Sequence, residues 1–191
     1  SDDGPHDWDQ LPALAADPKC VAFGELGLDN HYPDPPKASQ HQVLEAQLAA
    51  IEACARSGLV KPVIIHCREA FDDLLPILQR SSLDPTKYVF HCFTGTPDEA
   101  RRVIDFGACI SFTGVLTYKN AGDVRKAAAM VPTGRVMVET DAPFLSPEPV
   151  RTTRPCTPAM VAHTARALAH VRGLSFEDMH RELNETTSRF F

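Results

Sequence analysis

Glu25, His66, His91 and Asp141 are residues of metal-ligating type, and each follows a short apolar run. The runs are Val21-Ala22-Phe23-Gly24, Pro62-Val63-Ile64-Ile65, Tyr88-Val89-Phe90 and Val136-Met137-Val138-Glu139-Thr140. One His or Asp leaving a strand is more often a satisfied structural group than a ligand. Four in the same relative place reverse that expectation, because side chains at strand ends converge in an α/β barrel. Carboxylates and imidazoles without thiolates suit Zn, Mn or Mg better than they suit a structural Cys-rich zinc. Glu25 has two oxygens with which to bridge two ions. His66 and His91 complete one of them, and Asp141 ligates the other or takes a proton from its water. Two ions roughly 3.5 to 4 Å apart are the usual arrangement for phosphoester hydrolysis, since each stabilises one of the attacking and leaving oxygens. The chemistry read here is metal-assisted hydrolysis, with the substrate still open.

The elements that must position these residues alternate between strand-like and helix-like runs, the pattern of a parallel sheet built from βα units. After the Glu25 strand and a Pro-rich loop over His31–Pro36, Val43, Leu44, Gln47, Leu48, Ile51 and Ala55 predict a helix over 40–57, ended by Gly58. Phe71, Leu74, Leu75 and Leu78 mark another, with Pro76 placed to kink it. Thr96-Pro97-Asp98-Glu99 reads as a capping box opening a helix to Phe106. A strand over 108–112, a helix over 123–130 and the Asp141 strand follow. Thr157-Pro158 opens a helix that Gly173 closes, and Ser175 with Asp178 opens a last one running to about Arg189. Neighbouring strand residues face opposite ways, so Cys67 and Cys92, each next to a candidate His, are expected to pack away from the site.

With 191 residues, 43% hydrophobic and 23% charged, the chain can bury one good core and is expected to form a single domain over 1–191. Its acidic, polar start is unlike a secretory signal, and no apolar run approaches the ~20 residues of a membrane helix, so a cytoplasmic location without membrane partners is expected. Six scattered cysteines without CxxC spacing suit reduced, buried thiols. A net charge of -6 argues against nucleic-acid binding through a broad basic surface. A polyanionic substrate would need local help from divalent cations or from Arg68, Lys119, Arg151 and Arg154, each of which, taken alone, reads as ordinary surface charge.

Five segments together resemble the TatD family of metal-dependent deoxyribonucleases: Gly24-Glu25-Leu26-Gly27-Leu28-Asp29, Ile65-His66-Cys67-Arg68, His91-Cys92-Phe93-Thr94-Gly95, Ile110-Ser111-Phe112-Thr113-Gly114 and Glu139-Thr140-Asp141-Ala142-Pro143. Gln40, Gln47 and the closing Thr187–Phe191 extend the likeness. The resemblance implies a TIM-type (β/α) barrel and a hydrolase acting on DNA, usually described as an exonuclease working from 3′ ends. It implies that Glu25 bridges, that His66 and His91 hold one metal, and that Asp141 serves the other metal or its water. Arg68 is then either a contact for substrate phosphate or a partner in a structural salt bridge.

The departures carry equal weight. The family pattern opens with a strand ending in His-x-His, and no His-x-His occurs in this sequence. Gly4-Pro5-His6-Asp7 looks like the family's His-Pro-His-Asp with Gly4 in the first place. At about 30 residues per βα unit, 191 residues fall short of a full barrel by roughly two units, so the barrel is expected to be incomplete at the N-terminus. Its open edges would then invite self-association. His6 and His31 are the nearby imidazoles that might replace the missing pair, and both read better as loop residues. Arg154-Pro155-Cys156-Thr157-Pro158 stands where the family more often has Arg-x-Asn-Glu-Pro. Three readings follow: a two-metal deoxyribonuclease, which the motifs favour, a related ester or amide hydrolase, and a non-catalytic relic retaining Glu25, His66 and His91.

Overall fold

The computed structural model describes residues 8–191. The Gly4–Asp7 motif, and His6 as a substitute ligand, lie outside the described residues. The described residues fall into two compact units, one reaching to Tyr88 and taking in Phe191, the other Val89–Phe190.

The first unit opens with a 3-10 turn, Trp8–Gln10, and a short helix α1, Leu11–Ala16, neither of which the sequence pattern announces. Strand β1 (Phe23–Asp29) then pairs in parallel with β2 (Val63–Arg68), Leu26 opposite Ile65, Gly27 opposite His66 and Asp29 opposite Arg68. The register slips between Phe23 and Leu26. Glycine is required on β1 because the partner backbone comes very close. At Gly27, φ is +155° and an added Cβ would lie 1.8 Å from the His66 carbonyl oxygen. At Gly24, φ is +143° and an added Cβ would lie 2.8 Å from Ile64 Cβ.

This pairing corrects one expectation. Glu25 and His66 stand inside their strands, which run on to Asp29 and Arg68, whereas His91 and Asp141 do follow theirs. An apolar run stops where burial on one face stops, but a ladder of main-chain hydrogen bonds continues wherever the partner strand continues.

Between the two strands, helix α2 (Lys37–Arg56) begins three residues earlier than its apolar periodicity and buries Leu44, Leu48, Ile51 and Cys54. After β2, helix α3 (Phe71–Arg80) runs on through Pro76 and buries Phe71, Leu74, Leu75, Ile77 and Leu78. Burying a Leu, Ile or Phe side chain contributes about 1.5 to 3 kcal/mol, so these two faces, with Phe23, Leu26, Leu28, Val63 and Ile65 of the strands, hold the unit together.

In the second unit, β3 (Tyr88–Phe90, whose first residue closes the first unit), β4 (Cys109–Phe112) and β5 (Val136–Val138) pair in that order and in parallel. Helix α4 (Pro97–Phe106) carries the expected capping box. The Thr96 hydroxyl accepts the Glu99 N–H, the Glu99 carboxylate accepts the Thr96 N–H, and Gly107 closes the helix at φ +115°. Helices α5 (Gly122–Met130), α6 (Val161–Arg172) and α7 (Phe176–Phe190) complete the unit. A 3-10 turn, Pro158–Met160, precedes α6, and Gly173 ends it at φ +66°. The Ser175 hydroxyl accepts the Asp178 N–H at 3.0 Å, as its spacing predicts. Phe90, Phe93, Phe112, Ile110 and Leu168 are fully enclosed.

The parallel strands and intervening helices place the chain in the α/β class. No disulfide joins the six cysteines among the described residues; Cys54, Cys67, Cys109 and Cys156 are buried, and Cys20 and Cys92 half-buried. Burial pushes the Cys109 thiol above its ordinary range. Among the described residues no helix is long and apolar enough to cross a membrane.

Candidate metal centre

In the first unit, Glu25 and His66 line one cavity of about 800 Å³ together with Asp29, Tyr32, Gln40 and Gln47. Glu25 is exposed and His66 half-buried. Alternation along β2 turns His66 to the face opposite buried Cys67, so Cys67 is the packing residue expected. The His66 ring is held from the side, its Nε2 3.1 Å from Asp29 Oδ2. Asp29 is held in turn. Its Oδ1 accepts the His31 N–H at 2.9 Å, while Gln40 accepts the Asp29 N–H and donates to the Asp29 and Pro35 carbonyls, each bond 2.8 to 2.9 Å. One amide on α2 therefore ties the end of β1 to the Pro-rich loop.

In the sequence Asp29 stands only as the last residue of the Gly24–Asp29 motif. The signal lay in its even spacing from Glu25, but the register that sets it beside His66 is a tertiary fact. His31 is occupied elsewhere, with Nδ1 2.8 Å from Glu69 Oε1. Arg68 is half-buried, with its guanidinium carbon 5.3 Å from the centroid of the Tyr32 ring.

In the second unit, His91 is the first residue past β3, and the chain turns at Cys92 with φ +45°. The Cys92 N–H donates to Glu139 Oε1 at 2.7 Å, and Glu139 Oε2 lies 3.9 Å from His91 Nδ1. Glu139 thus holds the turn that presents His91 and sets a negative charge beside its ring. It is the first residue off β5, and its own N–H donates to the Phe112 carbonyl at 3.0 Å. In the sequence it stands within the apolar run before Asp141. A carboxylate inside such a run is the signal that could have singled it out, since an unpaired charge there is costly. Cys92 Sγ lies 3.5 Å from Thr113 Oγ1, consistent with a packing role.

Asp141 is half-buried at the start of the loop after β5, where its carbonyl accepts the Phe144 N–H at 2.8 Å. Arg151 stacks on Tyr118 at 3.9 Å and pairs with Glu148, and Arg154 donates to the Arg151 and Thr153 carbonyls. Two of the four cations therefore also brace loops, and Lys119 is exposed. Cys156, in the place of the family's Asn, is buried, and its N–H donates to the Pro143 carbonyl at 3.0 Å.

Each unit thus presents an imidazole beside a carboxylate, together with further carboxylates of ligand type. Histidines that hold metals usually have such a carboxylate behind them, which fixes ring orientation and tautomer. The donor set suits a divalent ion of the Zn, Mn or Mg kind.

Comparison with known proteins agrees with this chemistry. The family model described as "TatD related DNase" matches residues 2–191. The chain is 37% identical over 187 residues to "Uncharacterized metal-dependent hydrolase YcfH" of Escherichia coli K12, covering 98% of this chain and 68% of that protein. It is 32% identical to "3'-5' ssDNA/RNA exonuclease TatD" of Pantoea vagans, covering 95% of this chain and 69% of the relative. Among solved structures, YJJV, a TatD homologue from Escherichia coli K12, superposes with a TM-score of 0.86 at 30% identity, covering 96% of this chain and 69% of that one. With the family's motifs in order and its model matched along nearly the whole length, the chain belongs to the TatD-related DNase family of metal-dependent hydrolases.

Proposed function

We propose that this chain hydrolyses phosphodiester bonds in DNA, working on a single strand from an end, and that residues 1–191 act as one domain. Glu25, His66, His91 and Asp141 are the metal ligands in this reading, and two divalent ions of the Mg, Mn or Zn kind are held. The observation that carries it is the carboxylate beside each proposed ligand imidazole, Asp29 at hydrogen-bond distance from His66 and Glu139 at 3.9 Å from His91. The exonuclease name of the Pantoea relative supports nucleic acid as the substrate class. Bound divalent ions would supply an activated water and a Lewis acid for the phosphoryl oxygens.

The chain's own residues supply the rest. Asp29 keeps the His66 ring oriented, Gln40 keeps Asp29 in place, and Glu139 holds the turn that presents His91. The Asp141 carboxylate would accept the proton from the attacking water, and the Glu25 carboxylate would help to hold the ions. Arg68 binds a phosphate flanking the scissile bond, using guanidinium donors in a planar fork.

The test is metal content by elemental analysis and cleavage of single-stranded oligonucleotides with Mg or Mn, for wild type beside His66→Ala and His91→Ala. The reading expects metal-dependent shortening that both variants lose together with bound metal. A folded wild type that holds no metal, or that cleaves acyl esters while leaving DNA intact, overturns it.

A further inference from the structure

The cavity beside Glu25 and His66 is larger than ligation of an ion requires, and its other wall has a different character. Tyr32 lines it from the Pro-rich loop, while Gln40, Val43 and Gln47 line it from α2 at positions three and seven residues on, one face of that helix. Leu26 adds an apolar patch. Ligand pockets of about 300 to 1,000 Å³ with a few placed polar groups are typical of small-molecule sites.

Two of these side chains present groups to the cavity, although the Tyr32 ring also meets His31 edge-on at 4.7 Å. Tyr32 is 58% exposed although aromatic, and its position is set by its surroundings. Its neighbour His31 is tied to Asp29 through the main chain and to Glu69 through the ring, and the Pro35 carbonyl is tied to Gln40. Arg68 lies over the ring at 5.3 Å. The Gln47 side chain, unlike that of Gln40, makes no hydrogen bond among the described residues, and its half-buried amide borders the cavity.

We propose that this cavity is a nucleobase pocket, an inference that rests on the phosphodiesterase reading above. Tyr32 stacks the base of a nucleotide adjoining the scissile phosphodiester, Gln47 hydrogen-bonds the base edge, and Arg68 spans from the ring to the neighbouring phosphate. Every base has a π-face, so stacking on a tyrosine is tolerant of sequence. An amide has both donors and an acceptor, so Gln47 can meet any of the four base edges. A base inside the pocket has left its stack and its pairing partner, at a cost that is least for a strand already single. The preference for single strands is thereby assigned to Tyr32 and Gln47 rather than to the metal ligands.

The experiment is fluorescence anisotropy in EDTA, which prevents cleavage, with a short oligothymidylate and an abasic oligomer of equal length and charge. The readout is the ratio of the two affinities within each protein. Wild type is expected to favour the base-bearing strand by about tenfold or more, the range of one stacked base. Tyr32→Ala is expected to bring the ratio close to one, Tyr32→Phe to preserve it, and Gln47→Ala to reduce it severalfold. A wild-type ratio of one, or an unchanged ratio in both Tyr32→Ala and Gln47→Ala, overturns the pocket. A failure of metal-dependent cleavage overturns the phosphodiesterase reading instead, and the two results are read in separate assays.

Discussion

Two carboxylates that the motif pattern leaves without a role, Asp29 and Glu139, border the imidazoles of His66 and His91. Removing such a partner typically weakens metal binding by about 10 to 100-fold while leaving the ligand itself in place. Asp29→Asn and Glu139→Gln are therefore expected to lower affinity for Mn or Zn within that range, measured by titration calorimetry, without unfolding the chain. An unchanged affinity in both would remove the observation on which the proposed function rests. A different kind of carboxylate is Glu52, held below the ordinary range first by the Ser81 hydroxyl and then by the Ser82 N–H, both donating to it at 2.7 to 2.8 Å. Because the folded value is depressed, its stabilising contribution is present above the unfolded carboxylate pKa and is lost as pH falls through the folded one. Glu52→Ala should cost about 1 kcal/mol near neutral pH, and the gap from wild type should close below about pH 4. Urea titrations at several pH values would expose a gap that fails to close.

At the scale of the element, the β1–β2 pair decides where the first unit's ligands stand. Gly27 is its tightest point, since any side chain there meets the His66 carbonyl oxygen. Gly27→Ala is expected to destabilise by about 3 kcal/mol or more, a size that belongs to strained backbone and overpacking, and to displace His66 as it does so. Thermal unfolding would register the loss, and a stability within ~0.5 kcal/mol of wild type would contradict the pairing. The cap of α4 is a milder control: Thr96→Ala removes the hydroxyl that accepts the Glu99 N–H and should cost about 1 kcal/mol. Much of this level is legible from sequence. The capping box, the ends of α4 and α6 and the apolar face of α2 all follow from local spacing and φ-positive glycines. Strand limits are less legible, as Glu25 and His66 illustrate, because a strand ends where its partner does.

At the scale of the whole molecule, a ligand that binds only the folded chain raises its stability by mass action. Metal at about one hundred times its dissociation constant adds roughly 2.7 kcal/mol, which for a chain of this length corresponds to a rise in Tm of about 5 to 10 °C. Adding EDTA should reverse that rise, and His66→Ala should lack it, as differential scanning fluorimetry would record. A metal-independent Tm in wild type would count against the proposed ligand set. The net charge of -6 bears on the same scale. Nucleic-acid binding here is expected to depend weakly on salt, because few phosphates are neutralised by side chains, and a steep salt dependence would point to a basic surface the composition does not suggest.

The sequence by itself determined the α/β class, the order of strands and helices from β1 onward, the metal-ligating residue types and the family, since these rest on local periodicity, caps and residue chemistry. Tertiary structure alone decided that Asp29 stands beside His66 and Glu139 beside His91, that His31 is spent on Glu69, and that Gln40 is consumed by the backbone while Gln47 borders the cavity. Those facts depend on strand register and on the packing of a helix against a loop. Register is set by main-chain contacts such as the Gly27–His66 approach, and residues distant in sequence carry no local sign of it.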